Sequence, residues 1–168
     1  MRVIITLLYG LVNFTVILNH TCYSIKEDPH VCNLEESSCS FTEVSCAGTH
    51  LGIELNKNAV MNARFNAQEN DIGNVRFIHG RAERGVGELA GGEKIVVDPP
   101  RAGLGPALIA ELIRLRPEVI VYASCDTATF SRDAGTIHES GYRLREMSLV
   151  DMFPRTSHIE VVSRFTPV

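Results

Sequence analysis

The sequence predicts an α/β fold built on a doubly wound sheet of about seven strands, mostly parallel, with an antiparallel hairpin at its carboxyl end. Two observations predict it. From residue 51 onward, short apolar runs alternate with stretches of helical periodicity, as in strands joined by helical crossovers. The last two β segments are joined by a loop alone, as in a hairpin. At 168 residues, the chain is expected to form a single domain, 1–168.

Each strand and each helix is predicted from a local sequence pattern. Strands are predicted where β-branched or aromatic runs are bounded by turn residues, and helices where apolar residues recur every three or four positions. The predicted strands after the amino-terminal region are 51–54, 75–78, 95–98, 119–123, 142–150 and 158–165. The predicted helices are 58–69, 81–89, 106–115 and 127–139, the last of which ends before Gly141.

Composition, net charge and cysteine spacing limit the classes of protein to which the chain can belong. A content of 45% hydrophobic and 21% charged residues is ordinary for a soluble globular protein. A net charge of −4 excludes a protein that binds nucleic acid through phosphate contacts alone. The five cysteines, at positions 22, 32, 39, 46 and 125, contain no Cys-x-x-Cys pair, so we predict no metal site.

Four side chains at strand ends are candidates for chemistry. Cys125 follows the strand Val119–Ala123, and Asp98 ends a strand before two prolines. Glu54 ends another strand, where acidic residues of Rossmann-like folds accept ribose hydroxyls, and Glu160 lies in the last strand. Each also has an ordinary explanation: a buried inert thiol, a turn-forming Asp, or a solvent-facing Glu.

Four strings in order decide between these explanations: Gly52-Ile53-Glu54, the Asp-Pro-Pro-Arg-Ala-Gly-Leu run at 98–104, Ser124-Cys125, and the Asp-Met-Phe-Pro…His-Ile-Glu run at 151–160. From Leu51 to Phe165, the chain resembles the RNA uracil-C5 methyltransferases. These are enzymes of the Rossmann-like class I methyltransferase fold that use S-adenosyl-L-methionine to make 5-methyluridine in tRNA and rRNA. The resemblance implies the same fold and activity here.

The resemblance also implies roles for single residues. Cys125 is the nucleophile that adds to uracil C6, and Glu160 is the general base that removes the C5 proton. Glu54 holds the ribose of the cofactor. Asp98 contacts the cofactor or the target uracil, and Arg101 binds a phosphate or the target-side loop.

The amino-terminal part follows the family less closely. Tyr9 and Asn13 match cofactor contacts, but the loop 8–15 around them is one residue shorter than in the family and keeps one of two glycines. Arg81 stands where relatives carry Asp or Asn against adenine. Residues 19–47 match nothing in the family, and are either a genuine insert or the product of an incorrect gene model. We therefore expect weakened cofactor binding.

The run Val3–Leu18 leaves two interpretations of the amino terminus. With Met1-Arg2 before it and a glycosylation pattern at Asn19, it resembles a signal peptide. The register of Tyr9 and Asn13 favours a buried first strand instead. We expect a cytoplasmic protein, with an organellar location as the alternative.

The expected partner is tRNA or rRNA that presents a flipped or single-stranded uridine, with no membrane partner and a monomeric state. The RNA-contacting regions that precede the catalytic domain in relatives are absent from this sequence, so tight independent RNA binding is not expected. One alternative function is a non-catalytic remnant of the fold that acts as an RNA- or protein-binding accessory. An amino-methyltransferase ranks lowest, because it leaves Cys125 and Glu160 without roles.

Overall fold

The structure is a computed structural model that describes the backbone of 3–7, 14–18 and 21–25 and, with their side chains, residues 49–87, 89, 91, 93–151 and 159–168. Backbone contacts divide the chain into two compact units, Met1–Tyr9 with Gly48–Val168, and Gly10–Ala47. The expectation of one domain with an unmatched segment at 19–47 stays a prediction.

The larger unit is an α/β structure. Its described strands are β1 (Val3–Leu7), β4 (His50–Glu54), β5 (Val75–His79), β6 (Lys94–Asp98), β7 (Val119–Ser124), β8 (Tyr142–Val150) and β9 (Glu160–Pro167). Its described helices are α1 (Lys57–Glu69), α2 (Ala82–Val86), α3 (Gly105–Leu115) and α4 (Thr127–Glu139). The smaller unit contains β2 (Phe14–Leu18) and β3 (Thr21–Ile25), which pair antiparallel.

Seven of the described strands form one sheet in the order β5-β4-β1-β6-β7-β9-β8. The first five pair in parallel, whereas β9 is antiparallel to both β7 and β8. The predicted mostly parallel sheet with a terminal hairpin is confirmed. So is the first strand, which lies inside the sheet between β4 and β6.

The hydrophobic core accounts for the apolar sequence patterns from which the strands and helices were predicted. Apolar side chains of β6, β7 and β9 pack against those of α3 and α4, and Ile95, Leu112, Ile120, Ile137 and Phe165 are all at most 1% exposed. Burial of such residues contributes about 1.5–3 kcal/mol each relative to exposure. None of the helices in the described part of the chain has the length and apolar character that a membrane crossing requires.

Two predicted elements and the predicted cofactor loop 8–15 differ from the structure by more than one residue. Helix α2 ends at Val86 rather than at residue 89, because Gly85 and Gly87 lower helix stability and Gly87 provides the cap. The last strand begins at Glu160 and extends to Pro167. Phe14 and Thr15, which the resemblance placed in the cofactor loop, begin β2, where a β-branched run favours a strand.

Candidate active site

The carboxyl ends of the parallel strands define the edge of the sheet at which the candidate residues meet. From β1, the chain continues outward to β4 and β5, and then returns to the other side of β1 with β6 and β7. The strand order therefore reverses between β1 and β6, and in open α/β sheets ligands bind in the crevice at such a point. Leu7 at the end of β1 pairs with Asp98 at the end of β6.

Cys125 and Glu160 lie beside Asp98 at this edge. Ser124, the last residue of β7, pairs with Val161 of the antiparallel strand β9. The next pair in that register is Cys125 and Glu160, so the end of β7 and the start of β9 bring the thiol and the carboxylate to adjacent strands. Cys125 is a free, partly buried cysteine.

The charges of these residues act on one another. Burial, and secondly the charge of Glu160, raises the pKa of Asp98 from 3.8 to about 7. Burial also raises the pKa of Glu160. The pKa of the Cys125 thiol is raised by burial, by Glu160 and by Asp98, against the lowering effects of a backbone N–H and of Arg101. The thiol therefore stays protonated at rest, and Asp98 exchanges its proton near neutral pH.

Arg101 joins this group from the loop after β6. Its side chain is exposed, yet its positive charge acts on both the Cys125 thiol and the Asp126 carboxylate. Asp126 caps helix α4 by accepting a hydrogen bond from the backbone N–H of Thr129 at 2.8 Å. The structure thus brings Asp98, Arg101, Cys125 and Glu160 together within electrostatic range.

Glu54 lies on the other side of β1, at the end of β4. It is 5% exposed, and its Oε1 accepts a hydrogen bond from the backbone N–H of Asn56 at 2.5 Å. An acidic side chain at the second strand from a nucleotide-binding crevice is the group that accepts ribose hydroxyls. Its chemistry fits a nucleoside cofactor.

Two cofactor contacts that the sequence predicted, Tyr9 and Asn13, lie outside the described residues. Arg81, the residue that departs from the family, precedes α2 and is exposed, with Nη1 at 3.3 Å from Glu83 Oε1. Its guanidinium offers donors only, so it does not replace an acidic acceptor for an adenine amino group.

Sequence reasoning missed a second set of polar residues behind the site. Asp133 of α4 is 1% exposed, and Arg132 and Tyr122 donate hydrogen bonds to its carboxylate. The available signal was periodicity, because Asp133 occupies the inward face of α4 together with Phe130 and Ile137. A charged residue at an apolar position of a helix indicates a buried polar contact.

Comparison with known proteins agrees with this geometry. The family model for tRNA (Uracil-5-)-methyltransferase matches residues 45–164. The chain belongs to the tRNA (Uracil-5-)-methyltransferase family. The match covers the whole of β4, β5, β6, β7 and β8 and most of β9, and it includes every described candidate residue.

Three relatives illustrate the similarity. An uncharacterized RNA methyltransferase of Clostridium acetobutylicum is 43% identical over 66% of this chain and 25% of its own length. A 23S rRNA (uracil(1939)-C(5))-methyltransferase of Edwardsiella ictaluri is 39% identical over 68% of this chain and 27% of its own. The crystal structure of Pyrococcus abyssi tRNA (uracil-54, C5)-methyltransferase in complex with S-adenosyl-L-homocysteine superposes with a TM-score of 0.62 and 37% identity, over 70% of this chain and 28% of that chain.

Two conclusions follow from these comparisons. The fold of this family member is the Rossmann-like class I methyltransferase fold. The chain spans about a quarter of the length of the relatives it matches.

Proposed function

We propose that this chain carries the catalytic site of an RNA uracil-C5 methyltransferase that uses S-adenosyl-L-methionine and forms a covalent adduct between Cys125 and uracil C6. The observation that supports the proposal most directly is the convergence of Cys125, Asp98 and Glu160 at the sheet edge beside the β1–β6 crevice. Family membership supports the reaction class.

The reaction needs a nucleophile because uracil C5 does not attack a methyl group unaided. The Cys125 thiol loses its proton, and Asp98, with a pKa of about 7, is suited to accept it. The thiolate sulfur bonds to C6, and the C5–C6 electron pair moves toward the C4 carbonyl oxygen. S-adenosyl-L-methionine supplies a methyl group on a sulfonium, which C5 of the adduct can accept.

Release reverses the first step. The Glu160 carboxylate takes the proton from C5, the electron pair restores the C5–C6 double bond, and the bond from C6 to the Cys125 sulfur breaks. The raised pKa of Glu160 increases its affinity for that proton. Asp98 can accept a hydrogen bond from the uracil imide N–H when ionised, or donate one to a carbonyl oxygen when protonated. The uridine has to be single-stranded or flipped out to reach this edge.

Cofactor binding would use Glu54 for the ribose hydroxyls, together with the end of β1 and Asp98 along the same crevice. The partner would be tRNA or rRNA.

RNA that contains 5-fluorouridine tests the proposal, because fluorine at C5 cannot leave as a proton and the adduct is trapped. With S-adenosyl-L-methionine, the wild-type protein should form a covalent complex on a denaturing gel. Cys125→Ala should form none, and Cys46→Ala serves as the matched control that keeps trapping. Trapping by Cys125→Ala would refute the assignment. Absence of S-adenosyl-L-methionine binding in calorimetry would favour the non-catalytic accessory instead.

A further inference from the structure

The loop between β6 and α3, residues 99–104, carries Arg101 and is held in place by helix α4. The backbone N–H of Leu104 donates a hydrogen bond to Asp133 Oδ2 at 2.8 Å. The guanidinium of Arg132 donates through Nη2 to the carbonyl oxygen of Ala102, also at 2.8 Å. These two contacts lie on either side of Gly103 and join sequence positions about thirty residues apart.

The Asp133 carboxylate uses both of its oxygens in this arrangement. Oδ2 also accepts a hydrogen bond from the Tyr122 hydroxyl at 2.9 Å, and Oδ1 accepts from Arg132 Nε at 2.9 Å and Nη2 at 2.8 Å. Burial of a carboxylate is costly unless it is paired and hydrogen-bonded. An apolar side chain would pack at this position without that cost, so what the carboxylate adds is a fixed place for the loop.

Gly103 shows how closely the loop approaches α4. Its φ is +84°, a conformation that residues with a side chain rarely adopt. A Cβ atom at this position would also overlap the carboxylate of Asp133. The backbone of the loop therefore rests directly on the buried acid, and glycine is required on both counts.

Helix α4 also contacts the segment of the chain that carries Cys125. Its cap residue Asp126 follows Cys125, and the Ser124 hydroxyl before the cysteine donates to the Asp126 carbonyl oxygen at 3.0 Å. Helix α4 is therefore hydrogen-bonded to the residues next to the cysteine at its first turn and to the Arg101 loop two turns later. The charged groups that act on the thiol are Asp98 from β6, Glu160 from β9 and Arg101 from the loop.

We infer that Arg132 and Asp133 are positioning residues: their bonds to the loop 99–104 hold the guanidinium of Arg101 beside the Cys125 thiol. This inference rests on the proposed role of Cys125 as the nucleophile. Arg101 favours the thiolate, whereas the two carboxylates oppose it. Loss of the hydrogen bonds that Arg132 and Asp133 make with the loop should therefore leave the thiol less reactive, because Arg101 would spend less time near it.

The test measures thiol reactivity in the full chain, without RNA or cofactor. Iodoacetamide alkylation of Cys125 is followed by peptide mass spectrometry between pH 6 and 10, since no other cysteine lies between residues 47 and 168. The variants are Arg132→Gln, Arg132→Lys, Arg101→Gln and the double variant. Arg114→Gln is the matched control, because Arg114 also pairs with an acid on its own helix, Glu111, and donates to a loop carbonyl oxygen, that of Gly87.

We expect Arg132→Gln to slow alkylation about threefold near pH 8 and to move the pH profile upward. Arg132→Lys should recover most of the rate, and Arg114→Gln should not change it. In the Arg101→Gln background, Arg132→Gln should have no further effect, because a residue that acts through Arg101 has nothing left to position. Asp133→Asn, if folded by circular dichroism, should behave like Arg132→Gln.

Two results would overturn the inference. One is an equal effect of Arg132→Gln with and without Arg101. The other is an unchanged alkylation rate in either Arg101→Gln or Arg132→Gln. Alkylation does not require methyl transfer, so failure of the wild-type protein to trap 5-fluorouridine RNA would refute the proposed function separately.

Discussion

Replacement of Asp98 by Asn should stabilise the protein at neutral and alkaline pH while removing methyl transfer. Burial, and secondly Glu160, raises the pKa of Asp98 from 3.8 to about 7. An acid with a higher pKa in the folded than in the unfolded protein holds its proton more tightly when folded. The folded protein therefore loses stability as pH rises from about 4 to about 7.

The magnitude follows from the two pKa values. Each pH unit between them costs about 1.4 kcal/mol, which gives an upper limit of about 4 kcal/mol. Solvent reaches the partly buried carboxyl and screens its charge, so we expect about 2 kcal/mol. Asn keeps the shape of the side chain without ionising. Asp98→Asn should therefore exceed the wild type in free energy of unfolding by about 2 kcal/mol above pH 7.5, and the difference should vanish near pH 4.

Urea denaturation followed by circular dichroism at pH 4, 6 and 8 measures this difference; the chain contains no tryptophan for fluorescence. Glu146→Gln is the control. Glu146 is an exposed acid on β8 that accepts a hydrogen bond from Arg164 at 2.6 Å, and this contact lowers its pKa. Its loss should not stabilise the protein at any pH. An Asp98→Asn variant with the same stability difference at pH 4 and pH 8 would refute the reasoning.

Three further predictions concern the site and its support. Glu160→Gln should permit thiol addition and methylation but stall release, so that covalent RNA–protein complexes accumulate on a denaturing gel; wild-type turnover without a trapped species would exclude Glu160 as the base. Gly103→Ala should lower the free energy of unfolding by about 1–3 kcal/mol in urea, whereas Gly73→Ala, where a Cβ meets open space, should change it little. Calorimetry should give an affinity for S-adenosyl-L-methionine at least about tenfold weaker than that of an intact relative, or about 1.4 kcal/mol. Equally tight binding by this chain and by a variant with the glycine loop restored and 19–47 shortened would contradict that expectation.

Local patterns were sufficient to predict the elements that carry the described candidate residues. The β-branched runs that end at Asp98 and before Cys125 are short and bounded by turn residues, so their strand ends were readable. In the structure, β9 pairs with β7, and this pairing places the start of the last strand, with Glu160, beside the end of β7. The choice of Cys125 and Glu160 at those strand ends came from the ordered strings that resemble the methyltransferase family, because each residue taken alone also had an ordinary structural explanation.

The hydrogen bonds that Asp133 accepts from Tyr122 and Leu104 behind the site join residues that are far apart in the sequence, so no local pattern predicts them. Tyr122 and Asp133 are eleven residues apart, and Leu104 is 29 residues from Asp133. Tyr122 fitted the apolar pattern of its strand, and its hydroxyl contact became visible only with α4 packed against β7. The shortened helix α2 has a simpler cause, since two glycines outweighed the apolar periodicity.

The place of β1 between β4 and β6, inside the sheet, has a consequence for the order of folding. Val3 lies opposite His50 and Lys94, which follow it by 47 and 91 residues. Lengthening a closing loop from ten to 47 residues costs only about 1.4 kcal/mol at equilibrium, but contacts between distant residues form slowly. The units β4–α1–β5 and β6–α3–β7 can assemble from nearer contacts first. Until β1 arrives, β4 and β6 each expose an unpaired strand edge, which is a template for association with other chains. The yield of soluble protein should therefore depend on how fast this strand is captured more than on the stability of the finished sheet.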